Sequence, residues 1–339
     1  MPTVSVIMAV YNGERFIREA IDSVLDEDHC DLELVVLDDG STDATPRILA
    51  DYVSRDDRIV VHREKGENLA QALNRACRLS RGRLLARIDA DDVSLPGRLA
   101  AQVNFMDAHP DVVLLGGQAL LVNDSGEEFG TATYPLRDVD LRERLLATSP
   151  FVHSAIMMRR DAFEAVGGYR DNLPHAEDLD LWLRLSERGD VANLPDAVVK
   201  YRIHGEQQSF RQQEEQAVHA AATRASARAR AEGKPDPLDG AADEEIDAAL
   251  LVAHGVGESE ITQAIVESAT WLGKTTGRAG YPEAATLLFD AAYEKARSAS
   301  GSRELTASVH RSVGLRHAEQ GHKVRANWKF AQARLAEWR

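Results

Sequence analysis

Along the first third of the chain, two textures of hydrophobic and polar positions alternate. Short, nearly continuous runs of β-branched and aliphatic residues give way to turn residues, and then to stretches with an apolar side chain every third or fourth position. Val4–Val10 is the first such run; it passes through Tyr11-Asn12-Gly13 into a predicted helix carrying Phe16, Ile17, Ala20, Ile21, Val24 and Leu25 on one face. Leu32–Leu37 is the second, ending in Asp38-Asp39-Gly40-Ser41-Thr42-Asp43, after which Thr45 is placed to cap a helix with Pro46 in its first turn. Arg58–His62 reads as a third strand and Leu69–Arg81 as a helix closed by Gly82. Leu84–Ile88 is a fourth strand, running into Asp89-Ala90-Asp91-Asp92. Strands apolar on both faces, each followed by a helix, imply an α/β fold built on a mainly parallel sheet covered by helices. Ligands gather beyond the carboxyl ends of such strands, where both acidic clusters fall.

After Asp111–Gly116 the pattern is irregular as far as the segment Pro150–Arg202, where Asp161–Val166, Gly167-Gly168 and a helix over Asp178–Arg188 stand out. Beyond Phe210 the text becomes rich in Ala, Glu, Gln and Arg, with helical stretches broken at Gly233-Lys234-Pro235-Asp236-Pro237, Gly255-Val256-Gly257, Gly277–Gly280 and Gly321. The expected organisation is an α/β domain over residues 1–210 and an all-helical domain over 211–339, with a linker near Pro235 and Pro237. Gly280-Tyr281 with Ala284-Ala285, and Gly321-His322 with Arg325-Ala326, hint at a helix-hairpin repeat. Trp271, Phe289, Tyr293, Trp328 and Trp338 would pack that domain's own core, or a partner such as a second copy of the chain.

A length of 339 residues suits two domains rather than one core. The net charge of −15, from 40 Lys and Arg against 55 Asp and Glu, disfavours capture of nucleic acid. Cys30 and Cys77 are too few for a disulfide framework or a structural zinc site and suit a reducing compartment. No run approaches the ~18 apolar residues of a membrane span, and the first residues lack a basic segment or cleavage site. The expected location is cytoplasmic, with peripheral membrane contact left open.

Among residues able to carry chemistry, Asp89, Asp91 and Asp92 stand out, because carboxylates following a strand supply the hard oxygen ligands that suit Mg²⁺ or Mn²⁺. The plainer alternative is a solvated turn that prepares a helix near Pro96. Asp39 would accept hydrogen bonds from a nucleobase or ribose, whereas Ser41–Asp43 read better as a turn leading into the next helix. Glu177 and Asp178 open a helix, where a dipole-stabilised cap and a general base are equally good readings. His153 and His204, like most isolated histidines, read as packing or surface residues when taken alone.

Five blocks, in order and spacing, resemble the inverting glycosyltransferases of family 2 with a GT-A fold. They are Val4–Glu14, Val35–Asp43, Ala86–Asp92, His175–Trp182 and Tyr201–His204, and the resemblance spans about Pro2 to Ser209. It implies a Rossmann-like GT-A domain followed by an all-α C-terminal domain. It also implies Mg²⁺ or Mn²⁺ as cofactor and a nucleoside diphosphate sugar, a UDP-sugar above all, as donor. A glycan or other hydroxyl compound would be the acceptor of a single sugar, in polysaccharide biosynthesis. By position, Ala9, Tyr11 and Glu14 would border the nucleotide, Asp39 would bond the base, and Asp89 would contact the ribose side. Asp91 would hold the metal with His204 as a further contact, Asp178 would be the base, and His153, Glu177 and Trp182 would either face the acceptor, Trp182 offering a ring for sugar stacking, or pack the helix and the loop before it. Where the family often has Asn-x-Gly before the third helix, this chain has Lys65-Gly66-Glu67-Asn68, which leaves Arg63 and Lys65 both as candidates for a donor contact. A nucleotidyltransferase would also use metal-bound aspartates, but the basic, Gly-rich triphosphate loop is missing after the first strand. A scaffold centred on the helical half is the non-enzymatic alternative.

Overall fold

The computed structural model describes residues 1–27, 31–65, 68–204, 213–239, 246, 248–253, 255–280 and 292. The chain divides into two compact units, Met1–Arg202 and Ile203–Arg339.

In the first unit, β1 (Val4–Val10), β2 (Leu32–Asp38), β3 (Ile59–Arg63) and β4 (Leu84–Arg87) are all parallel, in the spatial order β3-β2-β1-β4. The helices α1 (Ile17–Leu25), α2 (Thr45–Val53) and α3 (Leu69–Leu79) connect them. Val4, Val6, Met8 and Val10 of β1 pack in one cluster with Ile17, Ile21 and Val24 of α1. Burial on both faces is why the strands read as continuous apolar runs.

Beyond β4 the sheet turns mixed. The short β5 (Val93–Ser94) leads to α4 (Arg98–Ala108), and then come β6 (Val112–Val122), β7 (Glu128–Ala132) and α5 (Asp138–Leu145). A 3₁₀ turn, His153–Ala155, precedes β8 (Met157–Arg159), α6 (Arg160–Ala165), α7 (Glu177–Ser186) and β9 (Asp190–Arg202). β8 lies antiparallel between β4 and β6, β9 runs parallel to β6, and β5 pairs antiparallel with β9. The expected parallel order therefore holds through β4, and the irregular text beyond it corresponds to the mixed half. β6 also runs past Gly116, where the sequence pattern broke, because a side chain at Gly116 would overlap Asn193 and Phe151.

In the second unit, α8 (Gln213–Ala231) buries Ala217, Val218, Ala221, Ala222 and Ala225. α10 (Glu258–Arg278) buries Ile261, Ile265, Val266, Ala269 and Leu272 and packs against α8, and α9 (Ala248–Ala253) touches both. The expected helical character is seen in these segments. Pro235 and Pro237 lie in a turn that follows α8, after the boundary between the units, and Asp236 there accepts hydrogen bonds from Ser226 and Arg230. Cys30, Phe289, Tyr293, Trp328, Trp338, the side chain of Trp271 and both segments of the suggested repeat beyond Gly280 lie outside the described residues.

One polar stitch crosses the parallel half. Ser5 Oγ donates to Glu33 Oε1 at 2.7 Å and accepts from the Gly82 N–H at 2.7 Å, while Glu33 also accepts from Arg81. The third helix ends at Leu79, so Gly82 does not close it as expected. It lets the backbone pass against β1, where a Cβ would stand 2.5 Å from the Ser5 nitrogen. Gly82→Ala is expected to lower unfolding free energy by about 1–3 kcal/mol through overpacking against a backbone that cannot yield, measured by urea denaturation.

Candidate active site

The carboxyl ends of β1, β2 and β4 converge, with Val10 paired to Asp38 and Ile7 to Arg87. After β1 the backbone turns through Asn12 at φ +53°, and side-chain bonds join this turn to the one after β2. Asn12 N–H donates to Ser41 Oγ, Gly13 N–H to Thr45 Oγ1 and Thr42 N–H to Asn12 Oδ1, all at 2.8–2.9 Å. Asp38, fully buried, accepts from Ser41 N–H and pairs with Arg63. Asp39 is half-buried, with its N–H donating to the Val10 carbonyl. Tyr11 is 62% exposed and Ala9 half-buried at the same edge.

Thr45 does not cap α2 as expected. Ala44 occupies the cap position, and the free amides are taken by Asp43 Oδ1, which accepts from Thr45 N–H, and Glu14 Oε2, which accepts from Ala44 N–H. Glu14, expected beside the nucleotide, thus spends one carboxylate oxygen on tying the two turns together. Ser41–Asp43 form the helix-leading turn, as read. Arg63 is likewise engaged, donating to the Ser41 carbonyl at 2.7 Å, whereas Lys65 is exposed.

Beyond β4, Asp89, Asp91 and Asp92 bring carboxylate oxygens within 4.8 Å of one another. Asp89 is gripped through both oxygens by the guanidinium of Arg87, which is only 3% exposed, and it accepts a further bond from Ser154 Oγ at 3.0 Å. Asp92 accepts from the Arg202 N–H at 2.7 Å through Oδ1, while its buried Oδ2 has no hydrogen-bond partner among the described residues. Burial, then the charges of Asp91 and Asp89, push the Asp92 carboxyl well above the ordinary carboxylate range. Three crowded carboxylates, one with an unsatisfied buried oxygen, fit a hard divalent cation, whose charge relieves their repulsion. Arg202 organises the loop: its Nε donates to the Asp91 carbonyl at 2.8 Å, Nη2 pairs with Glu19 at 2.6 Å, and the guanidinium lies 4.6 Å from the Phe16 ring centroid.

The third contribution comes from the start of α7, entered through Ala176 at φ +57°, a left-handed conformation costly for a residue with a Cβ. Glu177 is buried, and desolvation followed by the charge of Asp178 pushes its carboxyl up to about 8. Burial also raises Asp178, although its Oδ1 accepts from the Leu179 N–H. The 3₁₀ turn joins the two ends, with Ser154 bonded to Arg87 and Asp89 and the adjacent His153 beside Glu177, and Arg87 and Asp89 act electrostatically on both α7 carboxyls. His153 Nδ1 lies 4.0 Å from Glu177 Oε1 and its Nε2 is 2.9 Å from the Tyr169 hydroxyl.

One expectation is corrected here. Trp182 is 0% exposed and packs edge-on against His153 and Phe151, so it supports the site from behind and offers no face to a sugar. His204 is buried and lies just past the boundary between the two units. Two site residues were missed. Arg87 carried a signal, a charge inside the apolar run Leu84–Ile88, and Arg202 stood beside the residue singled out in Tyr201–His204.

Comparison with known proteins agrees with this geometry. The family model described as Glycosyl transferase family 2 matches residues 5–167. EpsE of Bacillus subtilis is 37% identical over 206 residues, covering 59% of this chain and 73% of its own. The O-antigen biosynthesis glycosyltransferase WbnJ of Escherichia coli is 32% identical, covering 59% and 80%. The chain belongs to glycosyltransferase family 2. Among solved structures, S. aureus TarS in complex with UDP-GlcNAc superposes with a TM-score of 0.55 at 17% identity, over 99% of this chain and 90% of that one. The mannosyltransferase PcManGT of Pyrobaculum calidifontis, in complex with GDP-Man and Mn²⁺, gives 0.54 at 19%, over 99% and 87%. The fold is GT-A. Family membership sets the nucleotidyltransferase alternative aside, and no described helix is long and apolar enough to cross a membrane.

The turn joining β2 to α2 makes a separate prediction. Bonds from the Thr45 and Glu14 amides outweigh desolvation and hold Asp43 below its ordinary value of 3.8. Its contribution to stability is therefore complete above that value and lost as pH falls through the lowered folded value. Asp43→Ala should cost about 1 kcal/mol at pH 7 and little in strong acid, measured by denaturation at both pH values.

Proposed function

We propose that the protein is an inverting glycosyltransferase that moves one sugar from a nucleoside diphosphate sugar, a UDP-sugar in the first instance, to a hydroxyl of a glycan or similar acceptor. The observation that carries this reading is that the 3₁₀ turn links the group of Asp89, Asp91 and Asp92, through Ser154 bonded to Asp89 and Arg87, to the Glu177–Asp178 pair, through His153 beside Glu177. Relatives and neighbours support it in kind: O-antigen biosynthesis for WbnJ, UDP-GlcNAc for TarS, and GDP-Man with Mn²⁺ for PcManGT.

In this reading Ala9, Tyr11 and Asp39 border the nucleoside, Asp89 faces its ribose side, and Asp91 with Asp92 holds Mg²⁺ or Mn²⁺, with His204 a further candidate contact. A cation there would neutralise charge on the departing diphosphate. Asp178 takes the proton of the acceptor hydroxyl as that oxygen bonds to the anomeric carbon. The bond from that carbon to the diphosphate oxygen breaks, its electron pair leaving with the nucleoside diphosphate, and attack from the opposite face inverts configuration. Glu177, held near 8, keeps its proton at neutral pH and so leaves Asp178 as the ionised member of the pair. Glu177 and His153 are the acceptor-side residues of this proposal.

Asp178→Asn should reduce transfer by about 100-fold or more while nucleotide binding persists; transfer at the wild-type rate would remove Asp178 as base. Asp91→Ala should abolish the Mn²⁺-dependent part of donor binding. A thermal-shift series with UDP-, GDP- and dTDP-sugars, with and without Mn²⁺, reads both donor base and cation dependence, because a ligand selective for the native state raises its melting temperature.

A further inference from the structure

Behind the α7 carboxyls runs a chain of contacts that the transfer reaction as described does not use. Asn74 of α3 clamps the backbone of Tyr169 from both sides, its Oδ1 accepting from the Tyr169 N–H at 2.9 Å and its Nδ2 donating to the Tyr169 carbonyl at 2.8 Å. The Tyr169 ring packs edge-on to Phe163, and its hydroxyl meets His153 Nε2 at 2.9 Å. The imidazole is wedged against Trp182, with ring centroids 5.4 Å apart and planes near perpendicular, and presents Nδ1 to Glu177 Oε1 at 4.0 Å. Three elements therefore hold one ring between a tyrosine hydroxyl and a site carboxyl.

The direction of the hydrogen bond follows from counting donors. Tyr169 is 3% exposed, and burial keeps its hydroxyl protonated. Among the described residues that proton has one acceptor in reach, His153 Nε2. A buried hydroxyl proton left without an acceptor is costly, so Tyr169 donates and Nε2 accepts. The imidazole is neutral, since burial and then the charge of Arg87 hold it well below its ordinary range. A neutral ring that accepts at Nε2 carries its proton on Nδ1, the nitrogen that faces Glu177.

We propose that Tyr169 is a positioning residue: its hydroxyl fixes His153 as the Nδ1-protonated tautomer, which presents an N–H to Glu177 and leaves the Glu177 proton on the other carboxyl oxygen. The effect on transfer rests on the glycosyltransfer reading above, with Asp178 as base, whereas the tautomer does not. The charged and titratable groups facing Glu177 are Asp178 on its own helix, Arg87 and Asp89 from the β4 end, and His153 from the 3₁₀ turn. An N–H beside Glu177 favours its ionised form, so losing that donor raises the pH at which Glu177 gives up its proton.

Long-range ¹H–¹⁵N NMR of ¹⁵N-histidine-labelled full-length protein reads the tautomer directly. In the wild type His153 should be neutral with its proton on Nδ1, and an Nε2-protonated or charged ring overturns the proposal without any variant. Tyr169→Phe keeps the ring and the Asn74 clamp. It should move the proton to Nε2, lower kcat about tenfold with donor KM unchanged, and raise the pH at which Glu177 loses its proton, read from the His153 ring shifts. A variant that keeps both the wild-type tautomer and the wild-type kcat overturns the proposal. If the tautomer moves while kcat and the Glu177 titration do not, the functional role is overturned and the structural one alone survives. Loss of base function in Asp178→Asn is a separate result, so failure of the transfer reading is told apart from failure of this one.

Discussion

The site depends on one buried charge. Arg87 sits on the central half of the sheet with its guanidinium almost wholly out of solvent, and there the carboxylate of Asp89 outweighs desolvation and keeps it charged. Around that cation the other groups find their states. It draws the Glu177 and Asp178 carboxyls downward against the much larger upward push of burial, and it adds to the burial that keeps His153 neutral. Removing one partner of such a pair strands the other in low dielectric, which is why the pair belongs to the architecture as much as to the chemistry.

The rest of the first unit holds loops against that centre. Ser154 bonds both Arg87 and Asp89 from the turn before β8, and Arg202 holds the Asp91 carbonyl and the Asp92 carboxylate from the end of β9. The turns after β1 and β2 are joined by side chains that take up free amides, so exposed Tyr11 and half-buried Asp39 stand on a hydrogen-bonded edge. Irregular backbone at these strand ends is thus satisfied by side chains of the neighbouring turn.

Much of this was legible in the sequence, for physical reasons that differ by region. β1 to β4 and their helices were readable because parallel strands buried on both faces leave continuous apolar runs, and the acidic turns announced themselves at the strand ends. β6 was cut short at Gly116 because glycine marks both a chain break and a close approach, and only packing against Asn193 and Phe151 separates them. An aromatic side chain beside two carboxylates looks the same in sequence whether it faces a ligand or supports the helix from behind, so for Trp182 only burial separates sugar stacking from packing. Arg202 and the Tyr169–His153 contact join residues far apart in the chain, and no local pattern encodes such pairings.

The central claim is that the three aspartates beyond β4 form a cation and nucleotide site built on Arg87. Crystals grown with Mn²⁺ and a nucleoside diphosphate, with data collected near the manganese absorption edge, test it most directly. The account predicts an anomalous peak within bonding distance of Asp91, with diphosphate oxygens completing the coordination and the base beside Asp39. A manganese peak at some other group, or a nucleotide bound away from the β1, β2 and β4 ends, would contradict it.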